Sequence, residues 1–257
     1  MATIFFTTAP SPVIHVDDTK TGILVPLYRH PDSTWDDLIQ VKNAHPSVPI
    51  IAIVNPNNGP GLWDPTYIFG IKKLQSAGIP SLGYVYTSYG ARNLTEVTAD
   101  IDTYKNWYGV NGIFFDEMAH VPGKEGYYLH LSNYAKSLGL NFTVGNPGKD
   151  ELPSYIGTVD NIVIYENSGL PSIDLLTGWH TKYPKYNFSI LSYGVDTLDE
   201  KFIQSASDHV GLIYVTDKTL PNPWYSLTSY LDKLASLVGS APDREKDLVS
   251  MSVQHKQ

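Results

Sequence analysis

Cysteine is absent from all 257 residues, which excludes disulfides, thiolate metal sites and a cysteine nucleophile, and fits any redox compartment. Positive charge is scarce. Lys and Arg number 18 against 26 Asp and Glu, a formal net charge of −8, and no dense basic cluster offsets it. Nucleic acid and anionic membrane surfaces are therefore not expected partners. No apolar run approaches the roughly 20 residues of a membrane span. The first eight residues lack a basic start, and their apolar run is too short for a signal peptide. At face value the chain is expected to be cytoplasmic, or secreted if a leader has been removed. HxH and HExxH spacings are missing. So is a glycine-rich phosphate loop after the first apolar run, where Leu27-Tyr-Arg-His-Pro31 stands instead.

What the chain does have is a repeating alternation. Short apolar, β-rich runs fall at 22–27, 49–54, 81–86, 111–116, 141–145, 161–165, 188–192 and 210–215. Helical patterns separate them. Ser33-Thr-Trp-Asp36 reads as a capping box opening a helix to Ala44. A second helix runs through 67–76 and stops at Gly78. Asn93 with Glu96 starts a third, whose face is Val97, Ile101, Tyr104 and Tyr108. Residues 125–137 give a fourth, ended by Gly139, and further helices are expected near 172–182, 197–208 and 224–238. The connection 147–159 is short and carries Pro147 and Pro153, so its helix should be a single turn or missing. Eight strand signals alternating with helices predict an α/β fold, a (β/α)8 TIM barrel over 21–240. Residues 1–20 form an N-terminal extension and 241–257 a polar tail expected to be mobile. One domain and a monomer are expected.

In such a barrel the chemistry sits at the C-terminal ends of the strands. Those positions hold Tyr28, Asn55, Tyr86 with Thr87 and Ser88, Asp116 with Glu117, Asn146, Glu166, Tyr193, and Thr216 with Asp217. The set is acidic, amide and aromatic, with neither a Schiff-base lysine nor a Ser–His pairing. The runs 112–115 and 161–165 are apolar and each is closed by acids. Burying a carboxylate without a partner is costly, so Asp116, Glu117 and Glu166 should emerge at a cleft. Paired carboxyls among Asn and Tyr suit glycoside hydrolysis, one protonating the leaving oxygen and another attacking or stabilising the anomeric carbon. Aromatic content of 12%, with 18 Tyr and 5 Trp, is compatible with a sugar cleft and equally with a large core. Two other readings stand beside this one. Strand-end acids often cap helices or pair with arginine, here Arg29 or Arg92. Asp116 and Glu117 could instead hold a hard cation, with His30 or His120. The loop 57–61 is either a substrate contact or a rigid turn.

Six motifs in order carry a resemblance. They are Gly22-Ile-Leu-Val-Pro-Leu-Tyr28, Ile53-Val-Asn-Pro-Asn-Asn-Gly-Pro-Gly61, Gly83-Tyr-Val-Tyr-Thr-Ser-Tyr89, Gly112-Ile-Phe-Phe-Asp-Glu117, Val144-Gly-Asn-Pro-Gly148 and Tyr165-Glu166. Together, over about residues 22–235, the chain resembles the spherulin-4 family, glycoside hydrolase family 135. The resemblance implies a (β/α)8-barrel hydrolase that cleaves α-1,4-linked N-acetylgalactosamine in an exopolysaccharide, as the family's secreted fungal members do in biofilm galactosaminogalactan. It implies that Asp116, Glu117 and Glu166 are the functional acids. By analogy with retaining barrel galactosidases, Asp116 would be the nucleophile and Glu166 the acid/base, with Glu117 orienting substrate or tuning Asp116. In a chitinase-like alternative the substrate's own acetamido group attacks. A non-catalytic carbohydrate-binding barrel is a further alternative. Tyr28, Asn55, Tyr86, Ser88, Asn146 and Tyr193 are the expected substrate contacts. No cofactor and no metal are expected; the partner is a polysaccharide or oligosaccharide.

Overall fold

The computed structural model of the chain describes Ile14 and residues 19–240. Eight parallel strands pair in chain order and close on themselves, β1 also pairing with β8. They are β1 Gly22–Leu27, β2 Ile50–Val54, β3 Ser81–Tyr86, β4 Gly112–Asp116, β5 Phe142–Gly145, β6 Asn161–Ser168, β7 Phe188–Tyr193 and β8 Leu212–Val215. This is the expected (β/α)8 barrel. Its strands face packed interior on one side and helices on the other, which is why they read as continuous apolar runs rather than alternating ones. Every residue of β1, β2, β5 and β8 is buried.

The outer layer is α1 Ser33–Ala44, α2 Pro65–Ser76, α3 Leu94–Thr103, α4 Glu125–Ser137, α5 Ile173–Leu176, α6 Glu200–Ala206 and α7 Leu231–Gly239. Asp32, Asp64 and Asn93 start the first three by accepting the N–H two residues on, at 2.8, 2.8 and 2.9 Å. Each such cap contributes about 1 kcal/mol. The α1 cap is thus Asp32, one residue before the expected capping box. Helix α2 begins at Pro65, whose fixed φ suits a first turn. Gly78 and Gly139 take the left-handed φ of +78° and +79° that ends a helix.

Three expected helices are shorter. Residues 172–182 give only the single turn α5 and a 3₁₀ turn, Trp179–Lys182, because Thr177 and Gly178 are poor helix formers. Helix α6 waits for its cap, Asp199, which accepts from Phe202 N–H at 3.0 Å. Residues 224–230 are not helical. Asp217 takes Thr228 Oγ1 at 3.1 Å and Ser229 N–H at 3.0 Å, which holds them as a loop.

Strand β6 runs three residues past its expected end. A bulge between Val163 and Tyr165 re-aims the residues beyond it. Between β5 and β6 there is only a 3₁₀ turn, Pro153–Tyr155, so the expected missing helix is missing. These two strands pair at just Val144–Asn161 and Gly145–Ile162. The expected extension and polar tail lie outside the described residues, apart from Ile14, Thr19 and Lys20.

Candidate active site at the barrel mouth

The site is built where β4, β5 and β6 end. Asp116 is the last residue of β4, and the chain then turns sharply at Glu117, whose φ is +52°. For a residue with a Cβ this costs about 1–3 kcal/mol and persists only where its surroundings fix it. Here they do. The Glu117 carbonyl accepts Tyr89 N–H at 2.7 Å and the Thr87 hydroxyl at 2.7 Å. Thr87 Oγ1 lies 2.9 Å from Tyr128 Oη, which accepts Ala119 N–H at 2.8 Å. Met118 N–H donates to the Asn146 carbonyl at 2.8 Å, and its side chain is fully buried against β5. Gly145 leaves room for it: a Cβ there would stand 2.2 Å from the Met118 sulfur.

Asn146 joins the acids. Its Nδ2 donates to Asp116 Oδ1 at 2.7 Å and to Glu166 Oε2 at 2.5 Å. The amide side chain is buried, so both bonds are shielded from competing water. Two bonds from one nitrogen limit the separation of those oxygens to about 5 Å, below the roughly 6.5–9.5 Å of inverting glycosidases and close to the retaining spacing. The other oxygens are held as well. Tyr84 Oη donates to Asp116 Oδ2 at 2.6 Å, and Trp224 Nε1 donates to Glu166 Oε1 at 3.2 Å.

Burial, more than any other influence, pushes both half-buried carboxyls up. Glu166 reaches about 7, raised further by the charge of Asp116 and eased by the Asn146 and Trp224 bonds. Asp116 is also raised, but three donors oppose the rise: Tyr84, the Glu117 backbone N–H and Asn146. The two environments thus favour the proton on Glu166, with Asp116 the better hydrogen-bonded carboxylate. The nearby carboxylates in turn raise the Tyr28 and Tyr84 hydroxyls, on top of burial, so both phenols stay protonated donors.

Other expected contacts are placed variously. Tyr28 lies edge-on to Tyr84, ring centroids 5.6 Å apart, and within the electrostatic reach of both acids. Tyr193 is edge-on to Trp224 at 5.9 Å. Tyr86 is covered by the Arg92 guanidinium, 4.0 Å from its ring centre. Asn55 braces its own loop by accepting Gly59 N–H at 3.2 Å, which supports a rigid turn over 57–61. Ser88 lies in the left-handed turn beside Tyr89, and its carbonyl accepts Ala91 N–H at 3.0 Å. The side-chain hydrogen bonds to the Asp116 and Glu166 carboxylates come from Tyr84, Asn146 and Trp224, and none from Tyr86, Asn55 or Ser88.

The arginines do not neutralise the site: Arg29 pairs with Asp32, and Arg92 with Asp100 at 2.9 Å. His30 is bonded to Asp64 at 2.9 Å, and the His120 ring stands edge-on to Tyr89. Among the described residues, no group of three or more His, Cys, Asp or Glu is placed to hold a metal ion. Sequence reasoning passed over Tyr84 and Trp224 as contacts of the acids. Trp224 stood in a segment read as helix, although Pro221 and Pro223 before it signal a loop.

Four likenesses to known proteins bear on this geometry. Residues 22–238 match the model of spherulation-specific family 4. Spherulin-4 of Physarum polycephalum is 36% identical over 249 residues, covering 90% of this chain and 74% of that protein. The crystal structure of Aspergillus clavatus Sph3 in complex with GalNAc is similar with a TM-score of 0.78 and 27% identity, over 88% of this chain and all of that one. The catalytic domain of a Pyrococcus furiosus chitinase shares the fold at 8% identity and a TM-score of 0.57, over 90% of this chain and 97% of that one. On its sequence across the whole barrel, the chain belongs to spherulation-specific family 4.

Proposed function

We propose that this chain is a glycoside hydrolase that cleaves α-1,4-linked N-acetylgalactosamine within a polysaccharide, by a retaining mechanism. The observation that supports it is the Asn146 bridge, which holds an Asp116 oxygen and a Glu166 oxygen on one nitrogen, a spacing that suits a retaining pair. The likeness to Sph3, a protein seen with GalNAc bound, supports the sugar.

In the first step an Asp116 carboxylate oxygen bonds to C1 while the bond from C1 to the glycosidic oxygen breaks. Glu166, protonated near neutral pH, gives that oxygen its proton, and the shortened chain leaves as an alcohol. In the second step the Glu166 carboxylate takes a proton from water. The water oxygen bonds to C1, and the ester to Asp116 breaks. Both acids return to their starting states. Tyr84 and Asn146 hold the Asp116 carboxylate in place, and Glu117, half-buried beside it, contributes negative charge to the mouth.

The test is release of reducing ends from α-1,4 N-acetylgalactosamine oligosaccharides, by wild type and Glu166→Gln, with and without EDTA. Cleavage that survives EDTA and disappears in the variant is the expected result. Cleavage abolished by EDTA would shift the reading to a metal-dependent hydrolase. Tight binding without turnover would make the chain a carbohydrate-binding barrel.

A further inference from the structure

Of the aromatic rings exposed on the catalytic face, two are attached to the backbone that holds the acids. Tyr89 is 56% exposed and Tyr225 53%. Single exposed aromatics are common on protein surfaces, so exposure alone says little. Their attachment says more. Tyr89 follows β3 and donates its N–H to the Glu117 carbonyl at 2.7 Å. Its φ of +55° fixes the direction in which the side chain leaves the turn, and His120 meets the ring edge-on. Tyr225 follows Trp224, the residue that donates to Glu166. One face of its ring is covered by the Arg29 guanidinium at 4.7 Å, and Arg29 is itself held by Asp32.

Strand order sets these rings well apart around the mouth. Tyr89 follows β3, with its anchor Glu117 after β4, and Tyr225 follows β8. In the closed ring of eight strands, β3 and β8 are three strands apart. The acids, at the ends of β4 and β6, lie on the longer arc between them.

We propose that Tyr89 and Tyr225 are stacking platforms for sugar rings on either side of the cleaved bond, so that an extended glycan lies across the mouth from the β3 side to the β8 side. This rests on the function proposed above and adds the path of the polymer. A galacto-configured pyranose presents its C3, C4 and C5 hydrogens on one face, an apolar patch that packs on an aromatic ring while its hydroxyls stay in water. Three acids in the mouth and a net charge of −8 disfavour a polyanionic chain, so the substrate class is a glycan without acidic groups, long enough to reach both rings.

The test is calorimetric binding of α-1,4 N-acetylgalactosamine oligosaccharides of one, three and six units to the full chain. Glu166→Gln is present throughout to stop turnover. Tyr89→Ala and Tyr225→Ala are each expected to weaken hexamer binding about three- to tenfold and to leave monosaccharide binding unchanged. Tyr89→Phe and Tyr225→Phe, which keep the ring, should bind as the parent does. Phe69→Ala, which removes an exposed ring from the outer helix α2, should do the same. Hexamer affinity unchanged in both alanine variants, or lost in the phenylalanine variants, overturns the platforms. A parent that binds the monosaccharide as tightly as the hexamer also overturns them and leaves the proposed function standing. A parent that binds no member of the series overturns both.

Discussion

The Tyr84 hydroxyl reaches past its own neighbour to Asp116. In register Tyr84 pairs with Phe114, and the partner of Asp116 is Tyr86. The hydrogen bond to Asp116 Oδ2 nevertheless comes from Tyr84, at 2.6 Å. A tyrosine side chain is long enough to lean along its strand toward the mouth by about two residues. Tyr84→Phe is therefore expected to keep the fold and lower kcat about 10-fold or more, since one charge-assisted bond to the proposed nucleophile is lost. Tyr86→Phe should have little effect. Steady-state kinetics of the two variants beside wild type check this. Equal losses would remove the distinction.

Asn146→Ala removes a donor from both carboxylates at once. The charged form of each loses a hydrogen bond, so both apparent pKa values should rise and the whole pH–rate profile should move upward. A fall in rate at every pH, with both limbs unmoved, would count against the bridge as the tuning element.

The falling limb of the wild-type profile should lie near neutrality. Glu166 titrates at about 7 because burial and the charge of Asp116 raise it, and in the proposed mechanism the proton it loses there is the one the leaving group needs. Glu166→Gln should cost about 10²–10⁴-fold in kcat for unactivated substrates. A profile flat from pH 6 to pH 8 would remove Glu166 from the acid role.

Glu151 offers a stability test away from the acids of the mouth. It is 4% exposed, and Oε2 has no hydrogen-bond partner. Burial raises its pKa from 4.5 to about 7. The folded chain thus binds this proton more tightly than the unfolded one, so stability is lost as pH rises through that window. Glu151→Gln should be more stable than wild type at pH 8, by on the order of 1 kcal/mol. The gain should vanish at pH 4. Melting temperatures at the two pH values decide it.

Glu117→Gly should separate strain from function. Glycine takes a φ of +52° without penalty, so stability should hold or rise by up to about 1 kcal/mol while turnover falls. A clear loss of stability would mean that the Glu117 side chain, not the backbone clamp, fixes the turn.

How much of this could be read beforehand follows from range. The barrel was legible because each strand advertises itself locally, as Pro49-Ile-Ile-Ala-Ile-Val54 does before its loop. Asp116 and Glu117 were legible because acids closing an apolar run have few places to go. Trp224 was not, because its contact with Glu166 spans 58 residues and no local pattern encodes it. The late start of α7 was missed for a related reason: Asp217 holds Thr228 and Ser229 from 11 and 12 residues away, outside any helical window. The end of β6 was misjudged because a bulge has no signature in an apolar run.

The narrow pairing of β5 with β6, two residue pairs with no helix behind the connection, makes that junction the natural place for the wall to breathe. Amide deuterium exchange should enter the barrel first along this seam, in segments that open without global unfolding. Asn146 and Glu166 stand on its two sides and are bonded to each other, so the Asn146 bridge doubles as a clasp on a thinly secured joint. A ligand that engages both residues would slow exchange there, and local opening would in turn loosen the acid pair. Turnover and local opening are in this sense two readings of one junction.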